Sequence, residues 1–261
     1  MTRNRIPATL AQRSLLAGFA IGILLGWTSE ARAYRPFDGT DAAVADPREV
    51  EVEFQPAGAQ WGPEQNVLIA PATVFNYGLP QDWEAILEGQ LQTPFSPLGP
   101  TNLTASGASL KHVIRPGSLQ DQSGPSIATE FGVLLPDSNG SNNFGATIDG
   151  IVSQRWDWGT VHLNIAGSLT RDQRADAFTD LIIEGPSKWV VRPVAEVFYE
   201  EEFGQAHTLS ALVGAIWQVN DKLSFDVGFR HAITNGSNVN EIRAGLTVGF
   251  QLEQLGKPSH K

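Results

Sequence analysis

The sequence predicts an all-β chain that forms an antiparallel up-and-down transmembrane β-barrel of about 12 strands. Three observations lead to this fold. Apolar and polar residues alternate over long stretches, large aromatic residues gather beside one set of tight turns, and the chain opens with the pattern of a secretory leader. After that leader, no stretch approaches the ~18 consecutive apolar residues that indicate a transmembrane helix.

Residues 1–33 have the organisation of a signal peptide. Three arginines precede the apolar run LLAGFAIGILLGW, and small residues at Ala31 and Ala33 flank Arg32 at the predicted cleavage site. The apolar run is shorter than the ~20 residues of a spanning helix, although an uncleaved membrane anchor is the alternative interpretation. Export by this leader places the protein in the envelope of a Gram-negative bacterium, and we expect it in the outer membrane.

The alternation has a period of two residues. In residues 241–250, EIRAGLTVGF, the apolar side chains fall on one face and the polar or small ones on the other. Residues 222–230, KLSFDVGFR, repeat the pattern. Because successive side chains of a strand point to opposite faces, each run has one oily and one wet face. Such runs extend over ~9–13 residues, as tilted membrane strands do, whereas strands of soluble domains are mostly ~5–6 residues long.

The predicted barrel occupies residues 47–250. It follows an N-terminal periplasmic segment at 34–46 and precedes a C-terminal tail at 251–261; whether residues 34–46 plug the lumen stays open. The strand at 177–184 alternates poorly, so ten or fourteen strands are alternatives, but twelve returns both ends of the barrel to the periplasm. The predicted strands are residues 47–56, 66–78, 83–93, 103–114, 126–135, 144–154, 158–170, 177–184, 188–200, 206–218, 222–233 and 240–250.

Aromatic residues favour a membrane barrel over a β-sandwich. They lie at strand ends beside tight turns, and their strand parity points them outward, as in the aromatic girdle of a barrel at the membrane–water interface. A sandwich core needs no such bias towards one rim. The predicted girdle consists of Tyr77, Trp83, Trp156, Trp189, Trp217 and Phe250.

Charged residues on the opposite face predict a water-facing lumen. Rings of charged side chains select the solutes that pass a pore, and mutual pairing that fills a closed lumen is the alternative. The predicted lumen-lining residues of the solute path are Glu84, Glu88, Glu130, Asp149, His162, Arg192, Glu196, Asp226, Arg230 and Arg243.

The sequence gives little support for catalytic activity. The chain has no Cys, which excludes disulfides and thiolate metal sites, and its 5 histidines show no metal-ligand spacing. We therefore predict no catalytic residue, no metal and no cofactor. The net charge of −10 argues against nucleic acid as a partner. An envelope lipase built on Ser237 and His231 is retained as a third hypothesis, because a hydrolase needs a Ser close to a His.

Several segments resemble a known family: RPFDGTDAAVAD at 35–46, NYGLPQDWE at 76–84, and WQVNDKLSFDVGFRHAI at 217–233 followed by EIRAGLTVGF. Together they resemble the MetA-pathway of phenol degradation family, whose members are outer-membrane barrels often labelled transporters. The resemblance implies a non-enzymatic, porin-like passive channel for small solutes, aromatic or hydrophobic ones among them. A closed structural or surface-binding barrel is the alternative. The implied partners are the lipid bilayer and the barrel-assembly machinery, which reads a terminal aromatic residue; here Phe250 precedes an eleven-residue tail.

Overall fold

The computed structural model describes residues 35–252. The predicted signal peptide, its cleavage site at Ala31 and Ala33, and all but the start of the predicted tail lie outside the described residues. Within them the chain forms a closed antiparallel barrel. None of the described residues forms a helix of the length and apolarity that a membrane crossing requires.

Twelve strands follow one another around the barrel, each paired with its neighbours in sequence, and β1 pairs with β12 to close the sheet. This confirms the predicted fold class. The strands are β1 Glu49–Trp61, β2 Asn66–Leu79, β3 Trp83–Ser96, β4 Asn102–Arg115, β5 Ser126–Leu134, β6 Gly145–Trp156, β7 Gly159–Leu169, β8 Ala175–Glu184, β9 Val191–Glu202, β10 Ala206–Asn220, β11 Leu223–Thr234 and β12 Ser237–Gln251.

Burial follows the predicted alternation, and the oily face points outward. Phe75, Ile148, Ile165 and Val213 are each about half exposed on the outside. Polar side chains such as Thr247 are buried inside. A continuous apolar exterior is unfavourable in water because it stays exposed to solvent, whereas lipid tails cover it without cost. We call the end of the barrel with Glu49 and Gln251 the terminal rim, and the opposite end the far rim.

The bounds of two strands, β1 and β12, differ from the prediction. β1 continues to Trp61 rather than ending at residue 56, because the register shifts between Phe54 and Ala57. That bulge inserts one extra residue and reverses the in–out alternation, so the period of two breaks where the strand does not. At the far rim the predicted loop after residue 233 is a two-residue turn, Asn235-Gly236, with φ of 49° and 80°. These positive φ values are those of the hairpin turn that Asn-Gly favours.

The connection between β4 and β5 is long for the terminal rim, and the structure explains why. It contains a turn of 3-10 helix at Ser118–Gln120. Leu119, 2% exposed, packs with Ala42, Ala43, Ala128 and Ile151 in an apolar cluster inside the barrel. The connection therefore folds back under the lumen and supports the N-terminal segment there.

Candidate functional site

Residues 35–46, which we call the plug, lie inside the barrel. The sequence left open whether the predicted periplasmic segment at 34–46 plugs the lumen, and its described part contacts the inner wall of the barrel. From the terminal rim the plug runs around the inner wall, touching β2 and β3 first, then β4 and β6 to β9, and finally β11, β12 and β1. It thus circles most of the lumen while rising about halfway towards the far rim.

Backbone groups of the plug are satisfied by wall side chains. Ala45 donates its N–H to Glu84 Oε1 at 2.8 Å, and the side chain of Asn164 bonds both the N–H and the C=O of Thr40, at 3.1 and 2.8 Å. Glu196, 1% exposed, accepts the N–H groups of Asp38 and Gly39 at 2.9 and 2.8 Å. A buried irregular segment persists only when its peptide groups find such partners. The wall residues therefore form a docking site built for this segment.

An ion-pair network holds the far end of the plug. Arg243 Nη2 lies 3.3 Å from Asp38 Oδ1, Arg230 Nη1 lies 3.5 Å from the same atom, and Glu241 bridges the two arginines at 3.0 and 2.6 Å. Arg243 also donates to the carbonyl of Pro36 at 3.0 Å. Burial alone would raise the pKa of Asp38, but the guanidinium groups of Arg243 and Arg230 hold it below its ordinary value. Asp38 is therefore anionic at neutral pH.

A hydrogen-bond chain anchors the middle of the plug. Ala42 donates its N–H to Ser153 Oγ at 2.9 Å, Ser153 Oγ lies 2.8 Å from His162 Nδ1, and His162 Nε2 lies 3.2 Å from Glu184 Oε1. An ionised carboxylate only accepts, so His162 Nε2 donates to Glu184, and in the neutral ring Nδ1 then accepts from the Ser153 hydroxyl. Serine, histidine and glutamate also occur in this order in hydrolases. Here Ser153 is fully buried beneath the plug, so a substrate has no access to it. The hydrogen-bond chain instead holds the plug in place.

Glycines on the inner wall leave room for the plug. A Cβ at Gly78 would lie 2.0 Å from the carbonyl oxygen of Asp46, and one at Gly245 would lie 2.5 Å from Arg35 Nε. A Cβ at Gly228 would lie 3.1 Å from the Cβ of Pro36. At Gly167, which faces outward, nothing lies within 4 Å of the corresponding position. Plug atoms, a backbone carbonyl at Gly78 and side chains at Gly228 and Gly245, thus leave little room for a Cβ at these three wall positions.

A cavity of about 960 Å³ remains beside the plug. Its lining residues reach from Leu79 and Asp82 at the terminal rim to Asp176 and Glu200 near the far rim. The lining is mixed in character, with carboxylates on β1, β3, β5 and β6 and two aromatic rings, Phe178 and Phe198, on the other side. The plug therefore narrows the lumen.

The predicted lumen residues all lie on the inner face, and two of them, Glu84 and Arg230, both line the cavity and contact the plug. Five line the cavity: Glu84, Glu88, Glu130, Asp149 and Arg230. Of the remainder, His162, Glu196, Asp226 and Arg243 take part in holding the plug, and Arg192 lies 3.3 Å from Glu184. Their role in a solute path stays a prediction. Sequence reasoning missed Glu53, Lys111, Ser153, Asn164 and Glu241, although strand parity was a signal available for each of them.

The predicted girdle faces outward near the terminal rim. Trp156, Trp189 and Trp217 are each about half exposed, while Tyr77, Trp83 and Phe250 are partly covered. Trp158, which does not follow the strand alternation, stacks on Trp156 with ring centroids 5.4 Å apart. Turn geometry brings this ring to the same level, which alternation alone does not reveal. Its function as a membrane-interface girdle stays a prediction.

The lipase hypothesis gains no support from the structure. Ser237 is the first residue of β12 and pairs with Thr234, while His231 Nδ1 lies 2.8 Å from Asn240 Oδ1. Within residues 35–252 no bond joins Ser237 to His231. The two residues therefore do not form a nucleophile and its base.

A closed barrel with an apolar exterior and a charged interior defines a transmembrane β-barrel of the outer-membrane type. Among solved structures, the chain is similar to an outer-membrane channel from Pseudomonas putida F1, with a TM-score of 0.58, 9% identity, and coverage of 82% of this chain and 100% of that chain. It is also similar to the KdgM porin, with a TM-score of 0.51, 9% identity, and coverage of 77% and 99%. Identity this low shows a shared fold.

No family model matches the sequence, and no curated protein matches it. The fold places the chain among outer-membrane β-barrels, and its resemblance to the MetA-pathway of phenol degradation family stays a prediction.

Proposed function

We propose that the protein is an outer-membrane channel through which small solutes diffuse, and that the plug sets the width of the path. The observation that carries this proposal is the cavity of about 960 Å³, whose polar lining reaches both rims inside an apolar exterior. A barrel that served only as a membrane anchor would need neither a hydrated interior nor a cavity beside its plug. The similar solved structures, which are named as a channel and a porin, support the same function.

Aromatic solutes fit one part of the cavity. The rings of Phe178 and Phe198 lie 5.3 Å apart on the lining, and the guanidinium carbon of Arg230 lies 5.9 Å from the centre of the Phe198 ring. Phe198 is 4% exposed and packs against Phe178, whose ring is only partly covered and offers a face on which a planar ring can stack. This observation supports the expectation, drawn from the family resemblance, that aromatic solutes are among those that pass.

A closed, structural barrel is the second candidate, and the plug favours it. The plug is held along its length by hydrogen bonds and ion pairs, including the buried contacts of Glu196 and Arg243. If these contacts never break, and if the cavity is too narrow at one level, the barrel carries no flux.

Conductance across a planar bilayer distinguishes the two candidates. For the purified, folded protein we expect small discrete current steps, because the cavity reaches both rims. A variant that lacks residues 35–46 should conduct more strongly. If neither the full-length chain nor this variant conducts, although both show the heat-dependent gel shift of a folded barrel, the channel proposal is wrong.

A further inference from the structure

The cavity lining is far more acidic than basic. It includes 14 carboxylate side chains and only 3 cationic ones, Arg35, Lys111 and Arg230. The whole chain, by comparison, has 28 acidic and 18 basic residues. The excess of carboxylates therefore belongs to the lumen in particular and is not a general property of the protein.

The three cations of the lining are already balanced. Arg35 Nε lies 3.5 Å from Asp226, Lys111 Nζ lies 3.6 Å from Asp41, and Arg230 pairs with Glu241 at 2.6 Å. Each positive charge thus already lies beside a carboxylate, and the remaining carboxylates leave the lining with a large acidic excess.

Five wall carboxylates on β1, β3, β5 and β6 form what we call the acidic corridor: Glu53, Glu84, Glu88, Glu130 and Asp149. Within residues 35–252, none of them has a basic nitrogen within ion-pair distance. Glu53, Glu84 and Glu130 accept instead from neutral donors: the Asn76 amide, the Ala45 N–H and the Ser109 hydroxyl.

Within residues 35–252, the arginines form no ion pair with this corridor. Arg243 is engaged with Asp38 and Glu241, and Arg192 with Glu184. Near the far rim, Arg171 lies 3.6 Å from Asp137 and donates to the carbonyls of Leu135 and Ser106. On one side of the lumen the arginines therefore form ion pairs with neighbouring carboxylates. On the other side the carboxylates of the acidic corridor line the cavity.

We propose that the channel selects cations, inorganic or small organic ones, and that the acidic corridor provides this selectivity. This inference rests on the proposed channel function. A narrow path between low-dielectric walls of one charge sign concentrates the opposite ion and excludes ions of its own sign. Rings of Asp and Glu act in this way in cation channels.

The test is the reversal potential of the reconstituted full-length protein across a KCl gradient at an ionic strength near ~0.1 M, where the Debye length of ~10 Å leaves the wall charges felt across the path. We expect K⁺ to permeate severalfold faster than Cl⁻. The double variant Glu88→Gln, Glu130→Gln should bring the permeability ratio closer to unity. The matched control Glu64→Gln removes a carboxylate from an exposed turn at the far rim and should leave the ratio unchanged.

Each outcome decides a different claim. Current that Cl⁻ carries as readily as K⁺ would overturn the selectivity and leave the channel function standing. A selective wild type whose ratio is unaffected by the double variant would overturn the assignment to the corridor. If no current flows even when residues 35–46 are removed, the channel function itself fails. The heat-dependent gel shift of each variant verifies that it is folded.

Discussion

Changing Asp38→Lys is expected to expel the plug from the lumen and to raise the single-channel conductance severalfold. The substitution removes the carboxylate that Arg230 and Arg243 share at 3.5 and 3.3 Å, and it places a third cation between them. Juxtaposed like charges in a partly desolvated site cost several kcal/mol, as much as several neutral hydrogen bonds of the plug return at about 0.5–1.5 kcal/mol each. The released segment should also become accessible to protease.

The matched control for this variant is Asp172→Lys. It makes the same change of charge in an exposed connection between β7 and β8, away from the plug. We expect the control to conduct like the wild type and to keep its N-terminal segment protected. An Asp38→Lys protein with wild-type conductance and an equally protected segment would show that the ion pairs do not hold the plug.

Changing Arg243→Leu is expected to produce the largest loss of stability among single substitutions in the lumen. The side chain is 8% exposed and bonds Glu241, Asp38 and the Pro36 carbonyl together. Removing one partner of such a buried network leaves uncompensated carboxylates and typically costs about 3–5 kcal/mol. The heating temperature at which the folded band disappears from the gel should fall accordingly.

Arg243→Lys serves as the graded control. It keeps the positive charge but loses the planar fork that contacts several acceptors at once, so the loss of stability should be smaller than for Arg243→Leu. If both variants melt like the wild type, then the network contributes nothing and the plug is held by its backbone contacts alone.

The fold was largely predictable from the sequence because the alternation of residues is a local signal. The strand at residues 66–78 corresponds to β2 Asn66–Leu79, and even the poorly alternating strand at 177–184 corresponds to β8 Ala175–Glu184. The prediction lost β1 beyond residue 56 because the bulge after Phe54 reverses the parity on which the assignment depended. Local periodicity cannot reveal a strand whose two halves are out of phase.

The plug could not be predicted, because its contacts join residues far apart in the chain. Gly39 and its acceptor Glu196 are separated by 157 positions, and Ala42 and Ser153 by 111. The apolar residues of the segment follow neither the helical nor the strand period. Its small residues are also common in solvated linkers. Its docking site was visible only as polar residues with inward parity, such as Asn164, which were not recognised as acceptors for a particular segment.

The location of the plug is the central claim, and disulfide trapping in native membranes tests it most directly. Since the chain has no Cys, the double variant Ala42→Cys, Ser153→Cys introduces a single possible bridge, between residues that are in contact through the hydrogen bond from the Ala42 N–H to Ser153 Oγ at 2.9 Å. Val52→Cys, Val248→Cys, across the paired β1 and β12, is the positive control for barrel closure. We expect both pairs to cross-link efficiently upon mild oxidation. Cross-linking of the control pair without any cross-link between positions 42 and 153 would place the segment outside the barrel and contradict the account.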